Sequence, residues 1–211
     1  MAIRILITDD HPIVREGLRI ILGTYQDMTV VGEAANGIEA LHLIPLCNPD
    51  VALVDISMPG MSGIELIGRI RAEHPQLPML VLSMHQEEQF AVRALKLGAS
   101  GYLTKDCAPE QLAKAIRKVV EGGRYITPGV ADALASSIMP AQAETPHQTL
   151  SNREFQIFRM LAGGQSVNDV AHALSLSANT VSTHKRRLMD KLGIDNNAGL
   201  VRYAVSHQLI E

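Results

Sequence analysis

Through the first 120 residues, apolar positions alternate between two periods. Short runs at 3–8, 29–34, 51–55, 79–83 and 101–104 are rich in Ile, Val and Leu and read as strands. Between and after them, near 12–22, 37–45, 63–73, 86–97 and 109–121, apolar residues recur at helical spacing. In the last of these, Leu112, Ile116, Val119 and Val120 form one stripe, and Pro109 stands at a first helical position, where proline is tolerated. Strand and helix in regular alternation predict a doubly wound, five-stranded parallel α/β sheet, with ligands expected at the carboxyl ends of its strands.

From about residue 127 this pattern dissolves into Pro128, Gly129, a short Ala-rich stretch and Pro140-Ala-Gln-Ala-Glu-Thr-Pro146. The segment 126–147 therefore reads as a linker, with room for one helix near 130–138. Four more helical patterns follow: 151–162, ended by Gly163-Gly164; 167–173; 178–191, ended by Gly193; and about 197–207. The 211 residues thus divide into a larger α/β domain over 1–125 and a small all-α domain over 148–211, each long enough to bury its own core.

Charge sharpens the division. Residues 1–127 carry 12 Lys+Arg against 15 Asp+Glu, 128–148 carry none against 2, and 149–211 carry 7 against 5, so the C-terminal piece is the basic one. Cys47 and Cys107 show no metal-binding or disulfide spacing and read as small buried fillers in a reducing compartment. No run approaches the roughly 20 apolar residues of a membrane span, and a cytoplasmic protein without signal peptide or anchor is expected.

Three carboxylates fall at the ends of two strands expected to be neighbours: Asp9 and Asp10 after the first, Asp55 at the end of the third. Clustered carboxylates repel one another, and a hard divalent cation such as Mg²⁺ relieves that repulsion. A phosphoryl group delivered to one of them would have its oxygens neutralised by the metal and a cation. Ser83 ends the fourth strand and Lys105 follows the fifth, supplying a hydroxyl and an ammonium at the same edge.

These residues lie in motifs that resemble the CheY-like receiver family over 1–121. The matching stretches are Ile7-Thr-Asp-Asp-His-Pro12, Gly32-Glu-Ala-Ala-Asn-Gly37, Pro49-Asp-Val-Ala-Leu-Val-Asp-Ile-Ser-Met-Pro-Gly60, Val81-Leu-Ser83 and Gly98-Ala-Ser-Gly-Tyr-Leu-Thr-Lys105. The resemblance implies strand order 2-1-3-4-5, Asp55 as phospho-acceptor, and Asp9 and Asp10 as Mg²⁺ ligands alongside it. It further implies Ser83 as the hydroxyl that follows the phosphoryl group, Tyr102 as the switch aromatic and Lys105 as the cationic partner. His11 is read as an ordinary residue of the first helix start. Asp106 departs from the family, in which proline is common at that place.

In the C-terminal domain, Ser177 is a candidate N-cap for the third helix, on which Asn179, Ser182, Thr183 and Arg186 share one polar face at i, i+3, i+4, i+7. Such groups suit base edges in the major groove. Lys185, Arg187 and Lys191 flank that face and suit phosphates, while Val181 and Leu188 mark the buried side. With the short preceding helix and the turn Leu174-Ser-Leu-Ser177, the arrangement predicts a helix-turn-helix whose second helix reads DNA. The region 150–210 resembles the LuxR-type output domain of NarL/FixJ response regulators through Leu150-Ser-Asn-Arg-Glu154, Leu161-Ala-Gly-Gly164, Thr180-Val181, His184 and Lys191-Leu-Gly193. It departs at Val167-Asn-Asp169, at Ser182 and at Asn196-Asn-Ala-Gly199. The last helix turns Leu200, Tyr203 and His207 to the core and leaves Val201 and Val205 as a second stripe, where the resemblance implies dimerisation.

Together the two resemblances imply a two-component response regulator, not an enzyme. A sensor histidine kinase would phosphorylate it, and phosphorylation would favour a homodimer on double-stranded DNA. The alternative is a phosphorylation-independent DNA-binding regulator whose receiver serves only dimerisation. A Mg²⁺-dependent phosphohydrolase would place a second acid two residues after the nucleophile, where Ser57 stands. A flavin or nucleotide module would need a Gly-rich cradle where Asp9-Asp10-His11-Pro12 stands.

Overall fold

The computed structural model describes residues 2–83, 88–136, 146–174, 176–207 and 209–210. The chain forms two compact units, Met1–Met139 and Pro140–Glu211.

In the first unit the strands β1 (Ile3–Thr8), β2 (Met28–Ala34), β3 (Val51–Asp55), β4 (Met79–Ser83) and β5 (Gly101–Thr104) form one parallel sheet in the order β2-β1-β3-β4-β5. β3 and β4 are buried at every residue, as expected of parallel strands covered on both faces. The helices α1 (Pro12–Gly23), α2 (Gly37–Cys47), α3 (Gly63–Glu73), α4 (Glu88–Lys96) and α5 (Pro109–Val120) connect and cover them. One core joins Ile5, Ile7, Leu53, Leu80, Leu82 and Leu103 to Leu22 of α1 and to Leu112, Ile116 and Val119 of α5, the stripe expected from the sequence. Asn36 caps α2 by accepting from Glu39 N at 2.9 Å, and Ser62 caps α3 by accepting from Glu65 N at 3.3 Å.

The expected linker is only partly a linker. Residues 137–145 of it lie outside the described residues, but α6 (Pro128–Ser136) belongs to the first unit and packs on α4, with Val130 buried. Its single buried valine gives the sequence too little periodicity to separate a docked helix from an Ala-rich connector. The cysteines also differ from expectation, since both are half-buried and neither is enclosed.

The second unit opens with a 3₁₀ turn (Pro146–Thr149), followed by α7 (Asn152–Ala162), α8 (Val167–Ala173), α9 (Ala178–Leu192) and α10 (Asn197–Ser206). Ser151 with Glu154, and Ser166 with Asp169, form reciprocal capping boxes, satisfying otherwise orphaned N–H groups at the starts of α7 and α8. Ser177 caps α9 through Thr180 N at 3.0 Å, and Gly193 ends it in the left-handed region at φ 65°. Phe155 and Phe158, stacked with centroids 6.0 Å apart, centre a core that includes Val170, Val181, Leu188 and Leu200. Among the described residues no helix is long and apolar enough to cross a membrane.

Candidate phosphorylation pocket and nucleic-acid interface

Strand register places the acidic residues. β1 pairs Thr8 with Val54 of β3, β3 pairs Asp55 with Leu82 of β4, and β4 pairs Ser83 with Thr104 of β5. The sheet therefore ends in a row: Asp9 one residue beyond β1, Asp55 closing β3, Ser83 closing β4 and Lys105 one residue beyond β5. The Asp9 and Asp55 side chains are each 2% exposed, and Lys105, 6% exposed, lies between them with Nζ 2.5 Å from Asp9 Oδ2 and 3.1 Å from Asp55 Oδ2. Lys105 N donates to the Ser83 carbonyl at 2.8 Å, tying the hydroxyl's strand to the cation's. Ser83 is fully buried.

Burial pushes the Asp55 carboxyl up, and neighbouring Asp9 pushes the same way. Lys105 and the Ser57 N–H oppose them, and the carboxyl stays above the ordinary aspartate value. The enclosed charges do not balance, since the single Lys105 ammonium serves both Asp9 and Asp55 and Asp10 adds a third acid at the rim. Ligating atoms of Asp9, Asp10, His11 and Asp55 all lie within 4.8 Å of one another. Carboxylates in excess of the one enclosed ammonium, at this spacing, are a donor set that a hard, oxygen-seeking dication fits.

Three supports were not legible as site residues in the sequence. Arg15 Nη1 donates to the Asp9 carbonyl at 2.6 Å, fixing the turn that carries the acids. Ser62 N-caps α3 beside the pocket, and Gly63 lets that helix dock on β3: a Cβ there would meet the Asp55 carbonyl oxygen at 1.9 Å. The only signal was glycine's position after Met58-Pro-Gly-Met-Ser62. Tyr102, paired in register with Val81, is 3% exposed, so its ring is already enclosed and not turned to solvent.

On α9, Asn179, Ser182, Thr183 and Arg186 are exposed, as is Arg187, and Lys185 is half-buried. Val181 and Leu188 face the core with no exposure. The Thr183 hydroxyl donates to the Asn179 carbonyl at 2.9 Å, which leaves its oxygen as the group facing outward chemistry. Lys191 also ties the helix inward, because its Nζ lies 2.6 Å from Glu154 Oε2 and so joins α9 to the capping box of α7. Burial pushes the Glu154 carboxyl up, but hydrogen bonds from Lys191 and Ser151 outweigh it and hold the group below the ordinary glutamate value. Burial and the Arg153 charge lower the His184 imidazole, and its buried Nδ1 has no hydrogen-bond partner. On α10, Leu200 and Ala204 are buried, Tyr203 and His207 half-buried and stacked, while Val201 and Val205 are 39% and 54% exposed.

Comparison with known proteins agrees with both halves. Residues 5–117 match the response regulator receiver domain, and residues 148–204 match the bacterial regulatory proteins of the luxR family. The response regulator GacA of Pseudomonas aeruginosa is 37% identical over 210 residues, spanning 99% of this chain and 98% of that protein. The response regulator UvrY of Escherichia coli is 38% identical over 208 residues, spanning 98% and 95%. Among solved structures, RcsB from Salmonella enterica serovar Typhimurium, bound to promoter rprA with the phosphomimetic BeF3−, is similar at 29% identity and TM-score 0.64, covering 96% of this chain and 98% of that one. A strand-end acidic pocket on a 2-1-3-4-5 sheet, joined to a LuxR-type helix-turn-helix, places this chain in the two-component response regulators of the NarL/FixJ family.

Proposed function

We propose that a sensor histidine kinase phosphorylates Asp55 in a Mg²⁺-dependent reaction in the cytoplasm, and that phosphorylation favours a homodimer whose helix-turn-helix domains bind double-stranded DNA in a sequence-specific manner. The observation that carries the reading is the buried Asp55 carboxylate, 3.1 Å from Lys105 and closing β3 between Asp9, one residue beyond β1, and Ser83, the last residue of β4. An Asp55 oxygen attacks phosphorus, forming a P–O bond as the N–P bond to the donor imidazole breaks, and the leaving imidazole takes up a proton. Lys105, already between Asp9 and Asp55, compensates charge on the transferred group. Asp9, Asp10 and Asp55 would hold the Mg²⁺, which supplies further neutralisation when bound. The chain is thus a stoichiometric switch and not an enzyme.

Ser83 and Tyr102 then relay the change along β4 and β5. The phosphoryl oxygens draw the Ser83 hydroxyl, and the enclosed Tyr102 ring holds the altered packing. In the output unit, Asn179, Ser182, Thr183 and Arg186 face base edges while Lys185 and Arg187 meet phosphates. Lys191 serves mainly to hold α9 on α7. Val201 and Val205 give α10 an apolar stripe suited to a second copy, and two domains held together gain from effective concentration on paired half-sites. Sedimentation with Mg²⁺ and BeF3−, run beside DNA titration, tests this. Expected is a shift to dimer with tighter DNA binding; an unchanged association state and affinity with Asp55 shown to be occupied would refute it.

A further inference from the structure

We propose that His11 is a nitrogen ligand of the same cation pocket and turns its preference from Mg²⁺ toward softer divalent ions such as Mn²⁺ and Co²⁺. This rests on the proposed assignment of Asp9, Asp10 and Asp55 as cation ligands. His11 Nδ1 lies 2.9 Å from Asp10 Oδ1 and 3.3 Å from Asp9 Oδ1. Ligands at roughly 2.1 Å around an octahedral ion stand about 3.0 Å apart at neighbouring corners and about 4.2 Å at opposite ones. The nitrogen thus stands at adjacent-ligand spacing from both oxygens, and Asp55 offers a further ligand atom within 4.8 Å of the others.

Two further observations point to a ligand and not to a surface acid cluster. Asp9 and Asp55 are each 2% exposed, and both lean on the one Lys105 ammonium, so the enclosed negative charge exceeds the enclosed positive charge. The main chain also fixes where the imidazole is carried relative to the acids. His11 precedes Pro12, its backbone is extended at φ −89° and ψ 111° as a residue before proline prefers, and its N–H donates to Asp9 Oδ1 at 2.9 Å. With 63% of the side chain exposed, binding requires little desolvation of the imidazole. An all-oxygen set suits Mg²⁺, whereas an imidazole added to it raises affinity for first-row transition ions.

Calorimetric titration of the full chain with MgCl₂, MnCl₂ and CoCl₂, wild type against His11→Ala, tests the assignment. The ratio of Co²⁺ to Mg²⁺ affinity is expected to fall on the order of tenfold in the variant. The Co²⁺-loaded wild type is also expected to show a paramagnetically shifted, solvent-exchangeable imidazole proton that His11→Ala lacks. An unchanged ratio without such a proton would overturn the His11 assignment while leaving the acidic cation site standing. Failure of the wild type to bind any of the three ions would overturn both.

Discussion

Asp55→Asn is expected to abolish base-labile phosphorylation and, in metal-free buffer at neutral pH, to raise the melting temperature of the receiver unit. The two effects share one cause. A carboxylate enclosed beside Asp9 is a suitable nucleophile only because the fold keeps its charge where water cannot solvate it, and that charge destabilises the folded state. The folded-state value of Asp55 lies above the ordinary one. Its protonated form therefore adds stability at low pH, and that stability is lost as pH rises through the raised value. Asparagine keeps the shape without the charge, so the stability lost by wild type at neutral pH is not lost by the variant. With Tm moving about 2–4 °C per kcal/mol in a chain of this size, calorimetry resolves the difference readily. Added Mg²⁺ should stabilise wild type more than Asp55→Asn and narrow the gap. Persistent base-labile label in the variant, or a lowered Tm, would contradict the assignment.

The second large effect concerns salt. If Lys185, Arg186 and Arg187 each neutralise a phosphate, a dimer places about six cations on DNA, giving a log–log slope of roughly −5 and an affinity loss of about a thousandfold between 50 and 200 mM salt. Lys191 should contribute little to that slope, since Glu154 already engages it. Removing it should instead loosen α9 from α7. Fluorescence anisotropy on a fixed DNA across a salt series reads the slope for wild type, Lys185→Ala and Lys191→Ala. The first substitution removes one cation from each protomer and should flatten the line by roughly two units, and the second should leave it parallel to wild type. Equal flattening by both would mean that the Glu154 pair opens on DNA. Arg186→Ala should flatten it too, and should also narrow the gap between preferred and unrelated sequences.

The legible parts of this protein are those governed by period and punctuation. Strand ends follow from runs of buried residues, and in a parallel sheet they fall along one edge, so Asp9, Asp55, Ser83 and Lys105 could be brought together before any coordinates. The caps Ser151, Ser166 and Ser177 are equally local, each with its partner three residues on. What escaped depends on partners distant in sequence. Lys191 looks like another helix-face cation until Glu154, 37 residues away, is found beside it. Arg15 becomes a support of the acidic turn only once α1 has folded back to the Asp9 carbonyl. Helix α6 has an ordinary connector composition, and only its packing on α4 makes it part of the first unit. Whether the Tyr102 ring is in or out is a packing state that no sequence period encodes.

The seating of α3 on the Asp55 carbonyl has a consequence for mutational tolerance. That helix contains two glycines five residues apart, equivalent by composition and by helix propensity. A Cβ at Gly68 meets nothing within 4 Å, so alanine there should be accepted and should stabilise by about 0.4–1 kcal/mol through the unfolded chain. At Gly63 the added Cβ would fall 1.9 Å from the Asp55 carbonyl oxygen, a main-chain atom with no flexible side chain to yield. Gly63→Ala must move either the helix or the nucleophile. In a saturation library scored for abundance and for phosphorylation, position 68 should read as permissive on both axes. Position 63 should admit no replacement on the second, although nothing there ever touches the phosphoryl group.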